Sequence, residues 1–182
     1  MRVAVCSDTH VPSRADAVPE WVRDELRSAD HVIHAGDFDS PEAYAEVDDL
    51  SPALTAVRGN LDGDLSDADL PETATVELDG VLFVVTHGTG PAEGYRERVR
   101  GIVEETAGET TLSVVGVSGH THQVLDETVP ATGPDTDRQT PFADGVRLLN
   151  PGSATGAEPA TRTTMMVLTV EDGDVDVRLA ER

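Results

Sequence analysis

The chain has 182 residues and carries 35 acidic against 13 basic side chains, a formal net charge of −22. Every basic residue is arginine, and lysine is absent. Leu, Ile, Val and Phe number 43, about 24% of the chain and above the ~20% below which a strongly charged sequence stays disordered. A core built largely from the 24 valines is therefore expected, in one domain over residues 1–182.

The charge excludes a basic footprint for nucleic acid or an anionic membrane surface. No stretch approaches the ~20 apolar residues of a membrane span. So many carboxylates repel one another unless salt screens them, and at ~1 M salt the Debye length falls to about 3 Å. The composition is that of a halophilic cytoplasmic protein, and the charge then describes the solvent. The lone cysteine, Cys6, sits in an apolar run and reads as a small buried hydrophobe.

Residues 2–6 read as a Val-rich strand. Pro19 opens a helix to about Ala29, with Val18, Val22, Leu26 and Ala29 at helical spacing. Residues 31–35 form a second strand, broken by Gly36-Asp37; Pro41 starts a helix to about Asp49; residues 53–57 form a third strand, ended by Gly59-Asn60. This β-α-β-α-β order implies a parallel sheet with covering helices. After the acidic loop 61–70, residues 73–78 and 81–86 flank Asp79-Gly80, a two-residue hairpin signal. A helix is expected over residues 94–107, a strand over 112–117, then strands over 123–129, 145–149, 164–170 and 174–179. Residues 130–144 hold Pro, Gly, Asp and Thr without periodicity and read as a surface loop or insertion. Helices, a mixed sheet and a second β-rich layer suggest an α/β sandwich of two sheets.

The chemistry lies just past the strands. Asp8 and His10 follow the first, His34 and Asp37 the second, Asn60 the third, His87 the hairpin, and His120 with His122 the next. Loops at the carboxyl ends of strands converge on one crevice in α/β sheets. Asp, Asn and imidazole without thiolate suit Mn, Fe, Ni, Co or Zn. Asp8-Thr-His10 in extended chain would project both side chains to one side, and His120-Thr-His122 repeats the spacing. Seven candidate ligands are too many for one ion and right for two, with Asp37 beside Gly36 as the bridge. Taken singly, Gly36-Asp37 and Gly59-Asn60 are ordinary turns, His87 a cap or a satisfied core residue, and His31 a surface residue. His34 is either a ligand or support for Asp37. The ordered set outweighs these separate readings.

That set, Asp8-x-His10, Gly36-Asp37, Gly59-Asn60, His87 and Gly119-His120-Thr121-His122, resembles the calcineurin-like metallophosphoesterases. The run at residues 57–62 and Asn150-Pro-Gly-Ser153 are similar to the small prokaryotic phosphodiesterase branch, which includes the retromer's vacuolar sorting subunit. The resemblance implies a four-layer α/β/β/α sandwich of two mixed sheets flanked by helices. It implies Asp8, His10, Asp37 and His122 on one divalent ion, and Asp37, Asn60, His87 and His120 on a second. Manganese comes first, with nickel, iron, cobalt or zinc as alternatives. A metal-bridging hydroxide would attack a small phosphate ester, diester or monoester, with Asn60, His87 and His120 at the reacting group. A non-catalytic scaffold or protein-interaction module on the same fold is the alternative; every ligand position is filled, which favours the enzyme. Homo-oligomerisation stays open.

Larger relatives carry a histidine after Gly-Asn; here Leu61 stands there, followed by Asp62. Asp62 is either the substitute acid or an acidic-loop surface residue. Arg58 is either a phosphate donor or one side of a salt bridge. Arg96, Arg98 and Arg100 read as a solvated helix face paired with Glu97, Glu104 and Glu105.

Overall fold

The computed structural model describes residues 1–63, 65, 69–130, 142 and 144–182. The expected loop 130–144 therefore lies almost wholly outside the described residues, and loop 61–70 partly so.

The strands are β1 (Arg2–Cys6), β2 (His31–His34), β3 (Leu54–Ala56), β4 (Thr73–Leu78), β5 (Val81–Thr86), β6 (Ser113–Val117), β7 (Val124–Val129), β8 (Val146–Pro151), β9 (Thr164–Glu171) and β10 (Asp174–Glu181). The helices among the described residues are α1 (Glu20–Ser28), α2 (Pro41–Leu50) and α3 (Tyr95–Ala107). Helix α2 starts where Ser40 accepts the Ala43 N–H at 3.1 Å, ahead of Pro41 in the first turn. One sheet runs β10-β9-β1-β2-β3, the other β4-β5-β6-β8-β7. Both are mixed. The triads β1-β2-β3 and β5-β6-β8 are parallel, and the flanking strands pair antiparallel.

Side-chain alternation along β1 shows how the layers stack. Val3 and Val5 join Phe83, Val85, Val117 and Leu149 in a core between the two sheets. Ala4 and Cys6 face the other way, into a second core with Val22 and Leu26 of α1 and Ala43 and Val47 of α2. Val84 and Leu148 leave the opposite face of the second sheet, where Tyr95, Val99 and Val103 of α3 cover them. The order is helices, sheet, sheet, helix: the expected four-layer α/β/β/α sandwich. Among the described residues no helix is long and apolar enough to cross a membrane.

Strand β8 runs two residues further than the periodicity indicates, taking in Asn150 and Pro151. The carboxyl ends of β1, β2, β3, β5 and β6 meet at one rim.

Candidate metal centre

The loops that leave this rim are held in conformations that favour a site over regular structure. Asp8, His10, Asp37, Asp39, His120 and His122 have φ between 48° and 77°. The other non-glycine residues of this kind among those described, Asp79 and Asp172, lie in hairpin turns. Left-handed backbone is disfavoured for side-chain-bearing residues by roughly 1 kcal/mol or more each, so neighbouring structure must hold it. It does: Asp8 N–H donates to Gly36 O at 3.0 Å and His10 N–H to Asp37 O at 3.1 Å. Asp8 and His10 thus converge through left-handed turns, and the extended chain expected for Asp8-Thr-His10 is corrected. Room is made by Gly59, where an added Cβ would stand 2.1 Å from Asp37 Oδ1.

Among the described residues three sets of ligand atoms lie within 4.8 Å of one another: Asp8 with His10 and His122, Asp8 with Asp37 and His87, and Asp37 with Asp39 and Asp62; His120 joins none of them. His122 Nε2 is 3.3 Å from Asp8 Oδ1, and His10 Nε2 is 3.6 Å from Asp37 Oδ2. His87 Nε2 is 3.2 Å from the same Asp37 Oδ2. Asp37 Oδ1 accepts the Leu61 N–H at 2.8 Å, which fixes the carboxylate with Oδ2 between the two imidazoles. The His120 ring meets His87 edge-on at 5.2 Å between centroids. Asn60 is exposed and lines, with His87 and Arg58, a cleft of about 750 Å³.

The outer nitrogens test whether these side chains fit a metal. His10 Nδ1 lies 2.9 Å from Asp39 Oδ1, His87 Nδ1 2.7 Å from Ala35 O, and His122 Nδ1 2.8 Å from Ala157 O. His120 is anchored by Nε2, 2.8 Å from Gly90 O. Metal-ligating histidines characteristically donate their other N–H in this way, which fixes tautomer and ring orientation. His87 Nε2 is buried and has no hydrogen-bond partner among the described residues. A buried nitrogen turned toward carboxylates without a hydrogen bond suits a cation, and the oxygen and imidazole donors suit a divalent one. Cys6 takes no part: it is buried beneath the helices, and burial pushes its thiol up to about 12.

Electrostatics agree. Burial acts against charge on His87 and His122, but Asp37 beside the first and Asp8 beside the second outweigh it and hold both imidazoles above their ordinary range. Burial acts to raise Asp37, yet His87, the Leu61 N–H and His10 hold it below the usual carboxylate range. His34 is different. Fully buried and stacked on Phe38 at 3.7 Å, it is pushed down to about 3 by desolvation. Its Nδ1 accepts the Gly36 N–H at 3.1 Å. It supports the Asp37 loop as a neutral ring.

Other sequence readings change. Asp62 is neither surface residue nor free acid. It is 7% exposed, and its two oxygens accept the N–H groups of Asp37, Phe38, Asp39 and Gly59 at 2.6–2.9 Å. His31 is not on the surface; it is 9% exposed and lies 2.8 Å from Thr55 Oγ1. Arg58 pairs with Glu72 at 3.0 Å. The α3 arginines are not a solvated face paired only along the helix. Arg96 pairs with Glu127; Arg98 donates to Gly88 O and Pro91 O; Arg100 is buried, donating to Pro130 O and pairing with Glu104.

Asp39, which anchors His10, carries no local signal in the sequence; Tyr95, which helical spacing places on the apolar face of α3, also brings its hydroxyl to 2.7 Å from Gly119 O. Asn150 Nδ2 is 2.7 Å from the same carbonyl and 3.2 Å from Thr121 Oγ1, while Ser153 Oγ donates to Asp8 O at 2.7 Å. The Asn150–Ser153 run thereby ties the loops bearing Asp8 and His120 together. The signal was present as a motif, without its physical reason.

A two-sheet sandwich with carboxylates and imidazoles gathered at one rim defines a metal-binding α/β protein. The calcineurin-like phosphoesterase superfamily domain matches residues 1–173, and the chain belongs to that family. It is 30% identical over 179 residues, 98% of this chain and 91% of the relative, to a Methanothermobacter thermautotrophicus protein named "Probable metallophosphoesterase". It is 30% identical to a phosphodiesterase of Methanocaldococcus jannaschii, covering 86% of each. Wild-type Vps29 of Entamoeba histolytica complexed with zinc superposes with a TM-score of 0.71 at 25% identity, covering 100% of this chain and 99% of that one. The resemblance carried by the motif series is thus borne out for family and fold.

Proposed function

We propose that the chain is a dinuclear metal-dependent phosphoesterase that hydrolyses a small phosphate ester. The observation that carries this is the convergence of Asp8, Asp37, His10, His87 and His122, with the His120 ring edge-on to His87 beside them and each imidazole anchored through one ring nitrogen. Asp8, His10, Asp37 and His122 would hold the first ion, and Asp37, Asn60, His87 and His120 the second, with manganese the first candidate. When bound, two such ions supply Lewis acidity toward phosphoryl oxygens and acidify the attacking water.

The chain's own contribution is placement. Asp37 presents Oδ2 to both halves of the centre because Leu61 N–H occupies Oδ1. Asn60, exposed in the same cleft, would offer its amide oxygen to a bound ion and its amide hydrogens to a phosphoryl oxygen. Arg58 lines the same cleft, and its ion pair with Glu72 is solvent-exposed, so a phosphate oxygen can compete for the guanidinium. Asp62 is not available to protonate a leaving group, because backbone N–H groups occupy both its oxygens. The reaction should therefore favour esters whose leaving groups depart unprotonated.

The test is hydrolysis of bis(4-nitrophenyl) phosphate in multimolar KCl after chelation and Mn²⁺ addition, comparing wild type with Asp37→Asn and His120→Ala. Mn²⁺-dependent turnover lost in both variants supports the reading. Equal rates in all three, or turnover indifferent to metal, defeats it; metal binding without turnover favours the scaffold alternative.

A further inference from the structure

Three of the four site histidines donate their outer hydrogen bond to groups next to the sheet ends or within the clamp that Ser153 builds. Asp39 and Ala35 lie in the loop after β2, and Ala157 N–H donates to Ser153 Oγ at 2.9 Å. His120 is anchored differently. Its partner is the peptide backbone of Gly90, in the loop between β5 and α3.

That backbone offers His120 Nε2 two incompatible contacts. Gly90 O lies 2.8 Å away and accepts a proton from Nε2; Gly90 N–H lies 3.3 Å away and donates to Nε2. One neutral imidazole satisfies only one of them. The carbonyl selects the tautomer with the proton on Nε2, which leaves the Nδ1 lone pair for a cation. The N–H selects the opposite tautomer, whose Nδ1 carries a proton and binds no metal. The orientation of the Gly90 backbone therefore decides whether His120 is competent.

Arg98 holds the segment that carries Gly90. Its Nη2 donates to Pro91 O at 2.9 Å and to Gly88 O at 3.1 Å, the carbonyls on either side of Gly90. A Cβ at Gly90 would meet Arg98 Cζ at 2.9 Å, so the guanidinium is seated against the backbone itself. The group lies 5.6 Å from the centroid of the Tyr95 ring, and Tyr95 also holds Gly119 O, next to His120. In a chain with 35 carboxylates, Arg98 has no salt-bridge partner among the described residues. The hydrogen bonds it makes, both from Nη2, go to that one loop.

We infer that Arg98 is a positioning residue that sets the tautomer of His120 through the Gly90 backbone, and so the affinity of the Asn60–His87–His120 side of the centre for its ion. The inference rests on the ligand assignment under Proposed function.

The experiment uses the full chain in multimolar KCl as wild type, Arg98→Met and Arg98→Lys. Long-range ¹H–¹⁵N spectra of the metal-free proteins report the protonated nitrogen of His120, and calorimetric titration with Mn²⁺ reports two affinities. In wild type the proton sits on Nε2. Arg98→Met moves population toward the Nδ1-protonated form and weakens one Mn²⁺ site by roughly 10-fold, the low end of what outer hydrogen bonds to ligands contribute, leaving the other within about 2-fold. Arg98→Lys, which keeps charge and donors but not the fork, recovers part of both effects. Unchanged His120 shifts with two unchanged affinities overturn the role of Arg98 alone. Equal weakening of both sites with a lower unfolding temperature and no tautomer change shows an ordinary structural role and also overturns it. A wild type that binds no Mn²⁺ overturns the ligand assignment beneath it.

Discussion

Replacing Asp62 by Asn separates the two readings of that carboxylate. Asp62 is 7% exposed, and each of its oxygens accepts two backbone N–H groups: Oδ1 from Phe38 and Asp39, Oδ2 from Asp37 and Gly59. In Asp62→Asn one oxygen becomes an NH₂ that faces two of these donors. Whichever way the amide sits, two buried N–H groups lose their acceptor. An orphaned buried donor costs about 1–3 kcal/mol. Allowing for local relaxation, the variant loses about 3–4 kcal/mol of stability, a large share of a typical 5–15 kcal/mol. In a chain of this size that is roughly a 6–16 °C fall in unfolding midpoint. The assay is thermal unfolding of chelator-treated protein in multimolar KCl, paired with hydrolysis of aryl phosphodiesters of graded leaving-group pKa. The account predicts the lower midpoint and an unchanged leaving-group slope in whatever activity survives. A midpoint within about 2 °C of wild type, with activity lost selectively on poor leaving groups, would make Asp62 the acid and refute the reasoning.

Three further outcomes follow from the same structure. His34 is held down to about 3 by burial, so between pH 6.5 and 3 the unfolded chain binds a proton that the folded chain does not; its contribution is intact above pH 6.5 and is lost as pH falls, at about 1.4 kcal/mol per unit. Denaturant titrations of metal-free protein should show that slope, and His34→Asn, which keeps an acceptor for Gly36 N–H, should flatten it; parallel slopes would contradict the assignment. Leu61→His places an imidazole on an exposed position beside Asn60 and should raise turnover of poor-leaving-group esters by roughly 10-fold or more; no change would show that leaving-group protonation does not limit the rate. Dilution from multimolar to ~0.01 M salt lengthens the Debye length from under 3 Å to about 30 Å and should lower the unfolding midpoint of this −22 chain, whereas a fully folded, equally stable protein without salt would refute the account of its charge.

The layers were legible from the order of short Val-rich runs, helical spacings and hairpin signals; which side of the continuous apolar run Val3-Ala4-Val5-Cys6 faces the inter-sheet core and which the helices was not, because all four residues are apolar. The candidate ligands were legible because Asp, His and Gly recur just past strand ends. What escaped depends on backbone groups brought together from far apart in the chain. The left-handed turns at Asp8 and His10 answer to carbonyls 28 and 27 residues further on, Gly36 O and Asp37 O, and no local pattern announces them. Asp62 sits in an acidic stretch that looks like solvated surface; only the N–H groups of residues 37–39 and 59 show it to be a clamp. Arg96, Arg98 and Arg100 looked like helix-surface charge because helical spacing supplies nearby glutamates, yet each finds a partner outside α3.

The most direct test of the central claim is the anomalous scattering of a crystal grown with Mn²⁺ in high salt. Two peaks per chain, about 3.5–4 Å apart and on either side of Asp37, are the predicted result, with the His120 ring on the second. A single peak at Asp8, His10 and His122, or none at the rim, would contradict a dinuclear centre.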